Sequence, residues 1–134
     1  MKNRPMLTLD DARAIARAAE AEATAHRWAV AIAIVDDGGH LLWLQRLDGA
    51  APISAQIAPA KAQTAALGRR ESRLYEESIN QGRTAFLSAP LTGMLEGGIP
   101  VVVDGCCIGA VGVSGAKPAE DVQIAAAGIA ALSA

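Results

Sequence analysis

The chain has 134 residues, a formal net charge of −2 and 51% hydrophobic residues, among them one Phe, one Tyr, two Trp and thirty Ala. That is the length of one domain, here residues 1–134, able to bury roughly two-thirds of its unfolded surface, with elements packed closely over small side chains. No basic run is present, which argues against nucleic acid or an anionic membrane surface as the partner.

No apolar run reaches the roughly eighteen residues of a membrane span. The opening Met1-Lys2-Asn3-Arg4-Pro5 lacks a leader pattern and runs into a capped helix, so a cytoplasmic location is expected. That helix starts at Thr8, with Asp11 three residues on to complement its N-terminus. Ala12, Ile15, Ala16 and Ala19 give it a narrow apolar stripe up to about His26.

A strand from Trp28 to Val35 then alternates in size rather than polarity. Val30, Ile32 and Ile34 face one side and Ala29, Ala31 and Ala33 the other, so both faces should be covered, the alanine face by a closely approaching helix. Asp36-Asp37-Gly38-Gly39-His40 turns the chain into a second strand, Leu41 to Leu47, with the glycines expected to supply positive φ. Residues 53–69 read as a second helix and Glu71 to Asn80 as a more polar third, ended by Gly82. Between Thr84 and Gly98, Pro90, Gly93, Gly97 and Gly98 mark loops. Pro100 to Val103, Asp104-Gly105 and Cys106 to Val113 form a second hairpin on an Asp-Gly turn. Pro118 opens the last helix, with Glu120 and Asp121 beside its positive end. This helix is almost wholly apolar around its girth from Val122 to Leu132, which predicts cover on several sides, by the sheet and by another subunit. Hairpins joined by helices favour an antiparallel sheet.

Candidate functional groups cluster where strands end. Arg46 and Asp48 either form a mutual or loop-fixing ion pair, or Arg46 presents a two-pronged donor to a ligand carboxylate with Asp48 orienting it. Lys61 is either a solvated helix residue or a ligand contact in the space left by Ala58, Ala62, Thr64 and Ala65. Ser114 and Gly115 precede the last helix, where free amides can hold an anion. Asp36 and Lys61 are the candidate proton-transfer groups should the protein be an enzyme. His26 and His40 are the only histidines. Cys106 and Cys107 are adjacent and would point to opposite faces of a strand, unsuited to a disulfide or a zinc site. Gly112-Val113-Ser114-Gly115-Ala116 lacks the spacing of a nucleophile elbow.

The runs Val35-Asp36-x-Gly38-Gly39-x-Leu41, Arg46-x-Asp48-Gly49-Ala50 and Ser54-x-x-x-Ala58-x-x-Lys61-Ala62-x-Thr64-Ala65 resemble the GlcG/HbpS-type family. So do Gly97-Gly98-x-Pro100, Gly105-x-x-Ile108-Gly109-Ala110-Val111-Gly112-Val113-Ser114-Gly115 and Asp121-x-x-Ile124-Ala125. The family includes haem-binding proteins and the C-terminal domain of PduO-type corrinoid proteins. The resemblance implies an α/β sandwich around a five-stranded antiparallel sheet flanked by helices, assembled into homo-oligomers. It also implies haem, or another tetrapyrrole, as the ligand, in which case His26 and His40 are the candidate iron ligands. The residues themselves leave a second class open: a catabolic enzyme acting on a small unsaturated organic acid by hydrolysis, deamination or tautomerisation. There Arg46 would clamp the carboxylate while Lys61 or Asp36 moved protons.

Overall fold

The computed structural model describes residues 1–133. In chain order it contains α1 (Leu9–Ala25), β1 (Ala31–Asp36), β2 (Leu41–Arg46), α2 (Ser54–Gly68), α3 (Arg73–Asn80), β3 (Gly98–Val103), β4 (Cys106–Ser114) and α4 (Pro118–Ala130). Short 3-10 turns occupy Thr84–Ser88 and Ala131–Ser133. None of the described helices is long and apolar enough to cross a membrane.

Local signals explain most boundaries. Thr8 caps α1 by accepting from the Asp11 amide at 3.1 Å, and the Asp11 carboxylate accepts from the Thr8 amide at 2.9 Å. This reciprocal box satisfies two otherwise orphaned donors. The second hairpin turns on Asp104 and Gly105, both at positive φ, the mirror-type turn that matches strand twist. In the first hairpin only Gly39 has positive φ. Gly38 instead donates its amide to Asp36 Oδ1.

The sheet is antiparallel throughout, in the order β2-β1-β4-β3. It has four strands, not the five that the family resemblance implied. The stretch between α3 and β3 supplies no strand because it breaks into a 3-10 turn and then passes Pro90, Gly93 and a left-handed Gly97, none of which sustains a ladder.

The two faces of β1 are covered as its size alternation requires. Val30, Ile32 and Ile34 join Ile15, Val111, Val113 and Ile124 in the core beneath α1 and α4. Ala31 and Ala33 join Ala58, Ala62, Ala65 and Ala110 beneath α2. The alanine layer is thin enough that backbones nearly touch. A Cβ on Gly112 would lie 2.1 Å from Ala58 O, and one on Gly98 would lie 2.3 Å from Lys61 O. α4 buries Ile124, Ala125 and Gly128 against α1 and the sheet while leaving Ala126 and Ala130 exposed.

Candidate functional site

One end of the sheet, where β2 and β4 run out and β1 begins, opens into a cleft of about 570 Å3. Its walls come from three connections: Arg27, Trp28 and Ala29 after α1, Gly49 and Ala51 after β2, and Gly115 to Lys117 with Glu120 at the start of α4. Gly115 makes the close approach feasible. It sits at φ +133, and a Cβ there would lie 2.7 Å from Ala29 O. Arg27 also adopts a left-handed backbone, φ 59, uncommon for a residue with a side chain. Both Arg27 and Lys117 are exposed and have no ion-pair partner among the described residues.

His26 adjoins this cleft through Trp28. The two rings stack with centroids 4.3 Å apart. His26 Nε2 lies 3.3 Å from the Gln123 amide nitrogen and 3.5 Å from Glu22 Oε2. Its Nδ1 has no protein partner among the described residues.

The start of α4 is occupied by the protein's own acids. The Ala116 amide donates to Asp121 Oδ1 at 3.0 Å, and the Lys117 amide donates to Glu120 Oε1 at 3.0 Å. Ser114 is buried and Gly115 lines the cleft. Ser114 and Arg46 both pair with Ala31, so all three share the α2 face of the sheet. Arg46 and Asp48 are exposed and neither pairs with the other nor with any described residue.

Lys61 lies on that same face but is turned inward. Its ammonium donates to Val113 O at 2.9 Å and to Asp121 Oδ2 at 3.2 Å, with both side chains almost fully buried. Burial pushes the Asp121 carboxyl above the usual carboxylate range, against the opposing pull of the Lys61 ammonium and the Ala116 amide. Gly97 provides the room: a Cβ there would lie 2.7 Å from Lys61 Nζ. Lys61 and the Ser114–Gly115 turn are therefore joined through Asp121, while Arg46 stands apart at the surface.

Asp36 and His40 lie at the opposite end of the sheet. Asp36 pairs with Gly109 in the ladder, four residues along β4 from Val113, so it does not approach Lys61. Its Oδ1 accepts from the amides of Gly38 and His40 and lies 3.1 Å from His40 Nδ1. Partial burial raises this carboxyl, but the two amides and the His40 ring outweigh it, and Asp36 titrates below the usual range. These contacts fix the hairpin. His40 is otherwise exposed. Among the described residues no three His, Cys, Asp or Glu side chains cluster as a metal site. Cys106 and Cys107 are free thiols.

Sequence reasoning missed Arg27, Trp28, Lys117 and the pairing role of Asp121. Asp121 carries a signal, an acid in the first turn of α4, but one that the helix dipole explains equally well. A left-handed Arg27 has no local sequence signature.

A family model described as haem degrading protein HbpS-like matches residues 7–130. Protein GlcG of Escherichia coli K12 is 59% identical over 114 residues, 85% of either chain. Among solved structures, a double mutant of HbpS from Streptomyces reticuli superposes with a TM-score of 0.88 at 34% identity, covering 98% of this chain and 90% of that one. A PduOC–haem complex superposes at 0.85 with 28% identity, covering 95% of both chains. The chain belongs to the HbpS-like family.

Proposed function

We propose that this protein binds haem, as a homo-oligomer, at the cleft where β2, β4 and the start of α4 meet. The observation that carries the proposal is the likeness, over nearly the whole chain, to a PduOC structure in complex with haem. The residues present fit the group. Arg27 and Lys117 are unpaired cations suited to two propionates, Trp28 offers an aromatic wall, and His26 keeps one ring nitrogen free. His26 would hold the iron; His40 is the alternative ligand, at the far end of the sheet. Bound haem would supply a redox-active iron. Added hemin should give a shifted Soret band that saturates at fixed stoichiometry. His26→Ala should change that band, His40→Ala should not, and replacing Arg27 and Lys117 together by Ala should weaken binding severalfold. An unsaturable, featureless titration would overturn the proposal.

A second function, catalysis on a small organic acid, is favoured by one observation: the exposed, unpaired Arg46 beside the Ala31–Ser114 row. Asp48, which forms no ion pair with that guanidinium, has no part in this reading. In this case Arg46→Ala should weaken a carboxylate ligand on the order of tenfold or more without unfolding the chain, and Arg46→Lys should restore only part.

A further inference from the structure

A separate cavity of about 420 Å3 lies between α3 and the segment leading to β3. This is within the roughly 300–1,000 Å3 range of small-molecule sites. Its apolar lining comes from Ile79, Leu87, Leu91, Met94 and Leu95, and its polar lining from Glu76, Asn80 and Thr92. Met94 is buried, whereas Leu87 and Leu95 stand 66% and 42% exposed, an arrangement of covered apolar residue and open apolar rim.

The walls are held independently of any occupant. Phe86 packs edge-on against Tyr75 with centroids 5.4 Å apart. The Ser72 hydroxyl donates to Leu95 O, and the Gly98 amide donates back to that hydroxyl at 2.8 Å. Gly93 rests on α2 so closely that a Cβ would lie 2.1 Å from the Ala60 carbonyl carbon. A cavity braced at both walls is preformed rather than a gap left by a loose loop.

The charge of the lining is one-sided. Glu76 is half-buried and has no cation within ion-pair distance, while its neighbour Arg73 is taken by Glu71 and Glu77. Glu76 and Asn80 are four apart on α3 and therefore share one face of the helix, with Ile79 beside them. No Lys, Arg or His lines the cavity. The side chains of Glu76, Asn80 and Thr92 have no hydrogen-bond partner among the described residues. An unpaired carboxylate above an apolar floor is complementary to a cation carried on an apolar body, and repels an anion.

We propose that this cavity is a second ligand site, for a compact apolar molecule bearing one primary ammonium group, with Glu76 as its counter-ion and Asn80 and Thr92 as hydrogen-bonding partners. The ammonium has three donors to share among them, and the hydrocarbon body covers Leu87, Leu91, Met94 and Leu95.

The test uses three probes of equal length on the full chain, 4-phenylbutylamine, 4-phenylbutanol and 4-phenylbutyrate, titrated by calorimetry and by amide chemical-shift perturbation. The amine should bind at least tenfold more tightly than the alcohol, and the carboxylate should bind most weakly, with shifts centred on α3 and residues 84–95. Glu76→Gln should bring the amine down to the alcohol's affinity and leave the alcohol unchanged. Leu91→Trp, which fills the cavity, should abolish binding of all three while circular dichroism stays native. Equal binding of amine and carboxylate would overturn the proposal, as would an amine affinity indifferent to Glu76→Gln. So would displacement of the amine by hemin, which would make this cavity the tetrapyrrole site. Failure of every probe at millimolar concentration would leave the face to a subunit contact and likewise overturn it.

Discussion

The Lys61 ammonium and the Asp121 carboxylate meet 3.2 Å apart, with side-chain exposures of 6% and 3%, and this pair ties α2 to the first turn of α4. Asp121 spends its second oxygen on the Ala116 amide, so one carboxylate holds both a buried cation and the turn that lines the cleft.

Removing either partner should therefore have unequal cost. Asp121→Ala strands the Lys61 ammonium with Val113 O alone, and breaking a buried pair this way costs about 3–5 kcal/mol. Lys61→Met strands a carboxyl whose pKa burial already raises, so it can take up a proton and remain bonded to Ala116. It should cost clearly less. Urea unfolding at pH 7 would check this, and equal losses would show that the pair is not asymmetric.

Asp36 should contribute an acid limb to stability. Its folded pKa is lowered, so as pH falls the unfolded chain takes up the proton first. The stabilisation is complete above the ordinary Asp value of about 3.9 and is lost as pH drops through the folded pKa. Asp36→Asn should be the less stable protein at pH 7, and the gap in urea midpoint should close below about pH 4. Asp121 has the opposite sign: the folded chain protonates first, so its contribution declines as pH rises above the ordinary Asp range. A gap for Asp36→Asn that persists unchanged at pH 2.5 would contradict the hairpin role.

Gly112 is fixed by contact rather than by conformation. A Cβ there would lie 2.1 Å from Ala58 O and 2.6 Å from Ala62 N, so Gly112→Ala has to lift α2 off the sheet. Overpacking of this kind typically costs about 1–3 kcal/mol. Gly105→Asn, at a left-handed turn with nothing within 4 Å, should cost far less, because Asn tolerates that region. Thermal melts of the two variants give the comparison, and similar melting temperatures would refute it.

Self-association is expected from the edge of the sheet. Leu41 and Leu44 share the α2 face of β2, and α2 packs mainly over β4, β1 and β3. Leu41, Leu44 and Leu67 remain 52%, 41% and 48% exposed, apolar area of the kind that marks an interface. Light scattering at micromolar concentration should report a dimer or larger, and Leu44→Asp should shift it toward monomer. A monomeric wild type would rule the assembly out.

Much of this architecture is legible in the chain itself because it depends on short-range chemistry. The order of helices and hairpins follows from the Thr8–Asp11 box, the Asp104-Gly105 turn and Pro118. The alternation of Ala31 and Ala33 with Ile32 and Ile34 decides which face receives the close helix, since successive strand side chains point oppositely. Membership of a family was likewise readable from motif spacing. Strand number was not, because whether residues 84–97 pair depends on backbone angles at Gly97 and on the seat Gly93 finds against α2.

The functional groups divide in the same way. Lys61 in a small-residue helix and Asp121 in a first turn are each ordinary locally, and only the fold buries them against each other, 60 positions apart. Arg27 and Lys117 become neighbours of one cleft because α1, β2 and β4 all run out at the same end of the sheet. Residue type and spacing decide what a side chain is able to do. Which groups it meets depends on contacts between distant segments, and these form only when the two faces of β1 are buried.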